Sequence, residues 1–160
     1  MSNPTTLELV TQEATVPAPD NLLVGPKGAV HTDVVRVRAS ADATLLRGTL
    51  LMSGSVGGEA AFIPATAASF APSAEQSLPV TDDTVTLPAG RSPITYGILA
   101  DTVDVTATTH ASVGVYFEGD FNENAVILPW ETANDDHAAQ LDIARDTLRA
   151  QKIFLREVKK

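Results

Sequence analysis

Asp120, Asn122 and Asn124 occupy alternate positions, and Glu131 falls at the twelfth place counted from Asp120. This is the spacing with which a calcium loop arranges its oxygen ligands. Two residues oppose that reading. The sixth place, where such a loop turns sharply and takes glycine, is Ala125, and Pro129 interrupts the approach to Glu131. The flanks also have the pattern of strands, where a calcium loop has helices. The better expectation is a turn of solvated Asx side chains, and no metal site is assigned.

The other residue types able to do chemistry are dispersed. His31, His110 and His137 lie far apart with no His-x-His or His-Glu-x-x-His spacing, so they are expected as surface or hydrogen-bonded histidines. None of the serines stands in a Gly-x-Ser-x-Gly elbow. Gly54, Gly57 and Gly58 are not followed by Lys-Ser/Thr, as a phosphate-cradling loop requires. Asp101 and Asp104 could pair as carboxylates, but within Asp-Thr-Val-Asp they read better as turn acceptors. With no cysteine there is neither a disulfide nor a thiolate metal site. The expectation is a non-enzyme without a cofactor.

Composition limits the partners. A chain of 160 residues that is 44% hydrophobic is long enough for one good core, and a single domain is expected. Its apolar runs are a handful of residues, against about 20 for a membrane span, so no membrane is expected. The opening MSNPTTLELVTQE lacks a basic cluster followed by an apolar stretch, so no secretory signal is expected. The net charge of −9 argues against direct binding of nucleic acid, whose backbone favours Lys- and Arg-rich surfaces. The basic side chains Arg145, Arg149, Lys152, Arg156, Lys159 and Lys160 crowd the C-terminus, which reads as a solvated helix end.

The chain is organised around residues 96–130. Gly97–Ala100 and Val113–Phe121 are short, β-branched and aromatic runs bounded by turn formers, which is the strand signature. A polar, Thr-rich connection joins them. Upstream, residues 1–32 contain Pro4, Pro17, Pro19 and Pro26 and show no sustained periodicity, so they read as an arm. The arm carries two apolar knots, Leu7, Leu9 and Val10, then Leu22, Leu23 and Val24. It is either a frayed terminus or an extended arm that docks on a neighbour or adds a strand to a sheet edge; the knots favour docking.

From residue 33 to 160 the pattern is that of one β-rich domain. In DVVRVR, Val35 and Val37 alternate with Arg36 and Arg38, which predicts one buried and one wet face. Leu45–Met52 supplies a turn and a strand, Ser53–Glu59 a flexible hairpin-type loop, and Ala60–Ile63 a further strand. The Ala-, Ser- and Pro-rich tract 64–92 carries two short runs, Leu78-Pro79-Val80 and Val85-Thr86-Leu87-Pro88, expected at sheet edges because proline donates no ladder bond. After Trp130 the period changes. A helix is predicted from near Asp135, capped by Thr132 or Asn134, with Ala138, Leu141, Ala144 or Arg145, and Leu148 as its stripe. Gln151–Val158 then returns to alternation as a terminal strand. The fold class expected is mostly β (α+β) with one covering helix.

Three stretches carry a resemblance. Leu46-Arg47-Gly48-Thr49-Leu50-Leu51, then Tyr96-Gly97-Ile98-Leu99-Ala100, then Val115-Tyr116-Phe117-Glu118-Gly119-Asp120-Phe121-Asn122, followed by a helix and a short strand, resemble the lambda-type bacteriophage head decoration proteins over about residues 31–158. The resemblance implies a homotrimer that binds the major capsid protein on the exterior of the expanded head, in a virion assembled in the host cytoplasm. It gives residues 1–32 the role of a capsid-binding arm through Leu7, Leu9, Val10, Leu22, Leu23 and Val24. Tyr96, Ile98, Leu99, Tyr116, Phe117, Phe121 and Trp130 are then expected in the core or the trimer interface. The tract 64–92 is longer than in the smaller relatives. The rival reading is another trimeric β-rich virion component, a fibre or tail module.

Overall fold

The charged–apolar alternation after residue 31 folds as the strand β1 (His31–Val37), and it lies directly against the longest strand of the molecule. The computed structural model describes residues 21–24, 30–70, 81–82, 85–86, 94–130 and 136–158. In chain order they form β1, β2 (Ala43–Leu45), β3 (Leu50–Val56), β4 (Glu59–Pro64), a 3-10 turn at Ala67–Phe70, β5 (Thr81–Asp82), β6 (Val85–Thr86), β7 (Tyr96–Leu99), β8 (Val103–Val105), β9 (Ala111–Asn122), α1 (His137–Arg149) and β10 (Ile153–Arg156). The molecule is mostly β with one α-helix among the described residues.

Five of these strands close on themselves. β9 pairs β1, β1 pairs β4, β4 pairs β3, β3 pairs β7, and β7 returns to β9, so the main sheet curls into a small barrel. The narrowest seam is β1 to β4, where Val37 pairs Phe62 in parallel and the Arg38 N–H donates to the Phe62 carbonyl at 2.9 Å. β10 extends the sheet beside β9, and β6 and β5 extend it beyond β3. β2 and β8 form a separate two-stranded ribbon.

The pleat divides the apolar side chains into two clusters. Val37, Leu51, Leu99, Val113 and Val115 form one, with Val35, Phe62 and Phe117 packed against it, so every barrel strand contributes. Leu50, Met52, Ile63, Tyr96, Ile98 and Phe121 form the other, covered by Ala144 and Leu148 of α1, by Ile153 of β10 and by Phe70. Tyr116 and Phe121 have opposite parity on β9, yet both lie with this second cluster, their rings 5.7 Å apart. A register shift opposite His31 and Thr32 adds one residue to β9 between them and changes the face.

Several local expectations are corrected. The loop expected over Ser53–Glu59 shrinks to Gly57 and Gly58, whose φ values of +59° and +82° make the two-residue turn preferred by twisted hairpins. The Thr-rich connection contains β8, held by β2 in a ribbon whose residues are 60 apart in sequence at Thr44 and Asp104. Arg38 is buried where a wet face was expected, because β1 ends at Val37 and the chain crosses to β4 there. The helix begins at His137, and Ala138 is exposed, so the packed line runs His137, Leu141, Ala144, Leu148. The capping residues Thr132 and Asn134, and the run Leu78-Pro79-Val80, lie outside the described residues.

Residues 22–24 do not extend away from the domain. The Val24 N–H donates to Asp120 O, the Asn122 N–H donates to Leu22 O, and Leu23 bridges Phe121. Leu22 is only 2% exposed and belongs to the core. Part of the expected arm is therefore structural: its second knot completes the cluster under α1.

Candidate functional site

The structure gathers Glu123, Val126, Ile127, Trp130, His137 and Leu141 around a shallow cleft of about 270 Å³. Its floor begins where β9 ends. The Asn122 side chain accepts the Asn124 N–H at 3.1 Å and the Asn122 carbonyl accepts the Ala125 N–H at 2.9 Å, an Asx turn that reverses the chain. The returning segment is then held against the start of β3. The Ile127 N–H donates to Gly48 O at 2.8 Å, and the Leu50 N–H donates to Ile127 O at 3.0 Å. This backbone pairing leaves Val126 buried and turns Ile127 outward.

One wall is aromatic. The Trp130 indole N–H donates to His137 Nδ1 at 3.0 Å, and its ring meets Phe70 edge-on at 5.6 Å. The other wall is an ion pair. Arg145 on α1 reaches Glu123 through Nε at 3.0 Å and through its terminal nitrogen at 2.7 and 2.8 Å, the forked geometry that makes Arg–carboxylate pairs strong. Hydrogen bonding to Glu123 raises the Arg145 pKa further, so the guanidinium stays charged. Among the described lining residues the one carboxylate, Glu123, is thus already neutralised, and the rest of the lining joins the apolar Val126, Ile127, Leu128, Trp130 and Leu141 to the polar Asn124 and His137.

A second polar group lies where β1 crosses to β4. Arg38 donates to the Glu59 carboxylate at 3.1 Å and to the carbonyls of Val56 and Ala107, tying the β3–β4 hairpin to the loop before β9. His110 Nε2 lies 3.4 Å from Glu59 Oε2. Nearby, Val34 is 68% exposed, and its N–H is satisfied by the Asp33 carboxylate at 2.8 Å. That local bond occupies a donor which would otherwise be open to strand pairing.

The residues singled out in sequence are distributed as follows. Tyr96, Ile98, Leu99 and Phe121 are buried, whereas Tyr116, Phe117 and Trp130 are half-buried. Leu22 is buried, Leu23 and Val24 are half-buried, and Leu7, Leu9 and Val10 lie outside the described residues. The described residues with calcium spacing serve other contacts. Asp120 accepts from Arg156 at 3.2 Å, Asn122 serves the turn, and Glu131 lies outside the described residues. Asp104 accepts the Thr44 hydroxyl at 2.6 Å, and Asp101 is exposed. The three histidines are separated, with His31 beside Phe117, His110 beside Glu59 and His137 beside Trp130. Among the described residues no three His, Cys, Asp or Glu side chains converge as a metal site, and no helix is long and apolar enough to cross a membrane.

Gln151 was not anticipated. Its side-chain amide donates to Ile94 O at 2.6 Å and accepts the Tyr96 N–H at 2.9 Å, so it substitutes for a strand beside the start of β7. Beneath it the Tyr96 ring stacks on Phe70 at 4.9 Å and its hydroxyl donates to Ser69 O at 3.0 Å. Burial pushes the Tyr96 phenol above its ordinary value. Because the folded value is raised, this stability is present below about pH 10 and is lost as pH rises through the folded value. Tyr96→Phe keeps the stack and removes the titration. Its alkaline unfolding limb in pH-scanned thermal melts should be shallower than the parent's, with a loss of about 1 kcal/mol near neutrality. Identical alkaline limbs would exclude Tyr96 as their source.

No protein-family model matches the chain, and no curated protein matches it.

Proposed function

We propose that this chain is a capsid decoration, or cement, protein. In this reading homotrimers bind the major capsid protein on the outside of the expanded phage head and stabilise it against the pressure of packaged DNA. The observation that carries the reading is the way the three resembling stretches meet. The Gly48 N–H donates to Leu99 O and the Leu99 N–H to Thr49 O, both at 2.9 Å, while Ile98 and Leu99 pair Tyr116 and Val115. The helix then covers this junction and is followed by β10, which pairs β9 in parallel. Motifs far apart in sequence thus meet in the same two apolar clusters, as stretches that define a common fold would.

The mechanism is mechanical. A trimer that touches several capsid subunits adds the free energy of its contacts to the work of separating them, and many weak contacts become strong by multivalency. A net charge of −9 leaves the DNA inside the head without a role in recruitment.

The test is co-sedimentation with expanded, undecorated heads, alongside the solution mass by light scattering. Saturable binding, a mass of three chains and heads that survive a higher temperature are the expected results. Failure to sediment with heads under any salt condition would end the proposal. Truncation belongs in the same assay. Deletion of residues 1–20 should leave a folded protein with weakened head binding. Deletion through residue 24 removes Leu22 from the core and should also destabilise the fold.

A further inference from the structure

We propose that the cleft beside Trp130 is a docking site for the chain's own N-terminal segment, seated by the knot Leu7, Leu9 and Val10. The path of the backbone carries the inference. Residues 24 to 21, followed toward the N-terminus, run along β9 from Asp120 to Asn122: Val24 is bonded to Asp120, Leu22 to the Asn122 N–H, and the Asn21 carbonyl to the Asn122 side chain at 3.0 Å. The next residues of β9's turn, Glu123 and Asn124, are the rim of the cleft. Asn21, the first described residue, is therefore held by hydrogen bonds beside the turn that forms the rim.

Chemistry and reach agree with that direction. Beside the polar Asn124 and His137 the cleft offers Val126, Ile127, Leu128, Trp130 and Leu141, and Ile127 is 42% exposed, so an apolar occupant on that side removes apolar surface from water. Its carboxylate, Glu123, is held by Arg145 and does not oppose such an occupant. Residues 11–20 separate the knot from Asn21, and an extended chain of that length spans about 33 Å. Pro17 and Pro19 bias the tether toward extended backbone. A tether this short holds its end at an effective concentration on the order of millimolar, so even weak docking is populated. The inference does not depend on binding to heads.

Trp130 is the chain's one tryptophan, so its fluorescence reads the cleft alone. Two variants are compared with the intact protein: one lacking residues 1–12, and a full-length triple variant, Leu7→Ser, Leu9→Ser and Val10→Ser. Both leave Leu22 in place, and circular dichroism verifies the fold. Both should red-shift the emission and raise the acrylamide quenching constant roughly twofold, as an apolar face regains water. Unchanged emission and quenching in both variants would overturn the proposal. A change on deletion alone would overturn the assignment to the apolar knot. If quenching of the intact protein rises on dilution, the occupant is a second copy's segment, and the same-chain assignment fails.

Discussion

Gly48→Ala should destabilise the protein by about 3–4 kcal/mol, the sum of a strained backbone and an overpacked contact. Gly48 has φ of +91°, and a Cβ there would stand 2.4 Å from the carbonyl oxygen of Ala125. The obstacle is backbone, which no rotamer change removes. Nor is Ala125 free to retreat, because its N–H is bonded to Asn122 and the chain two residues on is bonded to Gly48 and Leu50. The expected result in urea denaturation is a lower midpoint with an unchanged slope. The cleft is predicted to change with it, since Gly48 holds Ile127. A variant within about 1 kcal/mol of the parent would mean that the turn after β9 yields as ordinary surface loops do.

The second large effect is asymmetric. Arg145→Ala should cost about 3 kcal/mol, because it strands a carboxylate that is nearly out of water. The Glu123 side chain is 9% exposed, while that of Arg145 is 32% exposed and has Asp142 at 3.1 Å as a second partner. Glu123→Gln should therefore cost only about 1 kcal/mol, since the guanidinium it releases reaches solvent and Asp142. Replacing both by apolar residues of similar volume, Arg145→Met with Glu123→Leu, should recover most of the loss of Arg145→Ala. Denaturant unfolding of the four proteins decides the matter. Equal losses from the two single variants would show that Glu123 is hydrated once Arg145 is gone.

The parts of the fold legible in sequence were those written in local periods. Alternation in DVVRVR and QKIFLREV marked β1 and β10, the β-branched and aromatic run 113–121 marked β9, and the change of period after Trp130 marked α1. The parts missed depend on distant partners. Closure of the barrel rests on Val37 meeting Phe62, which no window of neighbouring residues encodes. Arg38 is buried because a chain crossing supplies carbonyls from Val56 and Ala107, against the usual preference of arginine for the surface. Ala138 fitted a stripe of three- and four-residue steps, but the described contacts of α1 follow the stripe beginning at His137. Leu22 was marked as part of an apolar knot but read as belonging to a docking arm, because its proline-rich surroundings carry no period that would tie it to the core.

The cleft was legible only as separate pieces. Trp130 was marked by being unique, and residues 120–124 by their calcium-like spacing, which resolves into an Asx turn. Nothing local linked either to His137 or Leu141. Glu123 and Arg145 are 22 residues apart and lie on elements of different type, so their pairing had no periodic signature.

The end of β9 also bears on how the chain is threaded. Phe121 is flanked on one side by Leu23 and on the other by Leu155, and Asn122 by Asn21 and Arg156. The first and last described segments thus lie two strand spacings apart, about 10 Å. A linker of a few residues from Arg156 to Asn21 would rejoin them without disturbing either. The Gly57–Gly58 turn, where an added Cβ meets nothing within 4 Å, is the natural place to open new ends. The order in which the strands are synthesised is therefore separable from the order in which they pair, and a circularly permuted gene would write the same barrel.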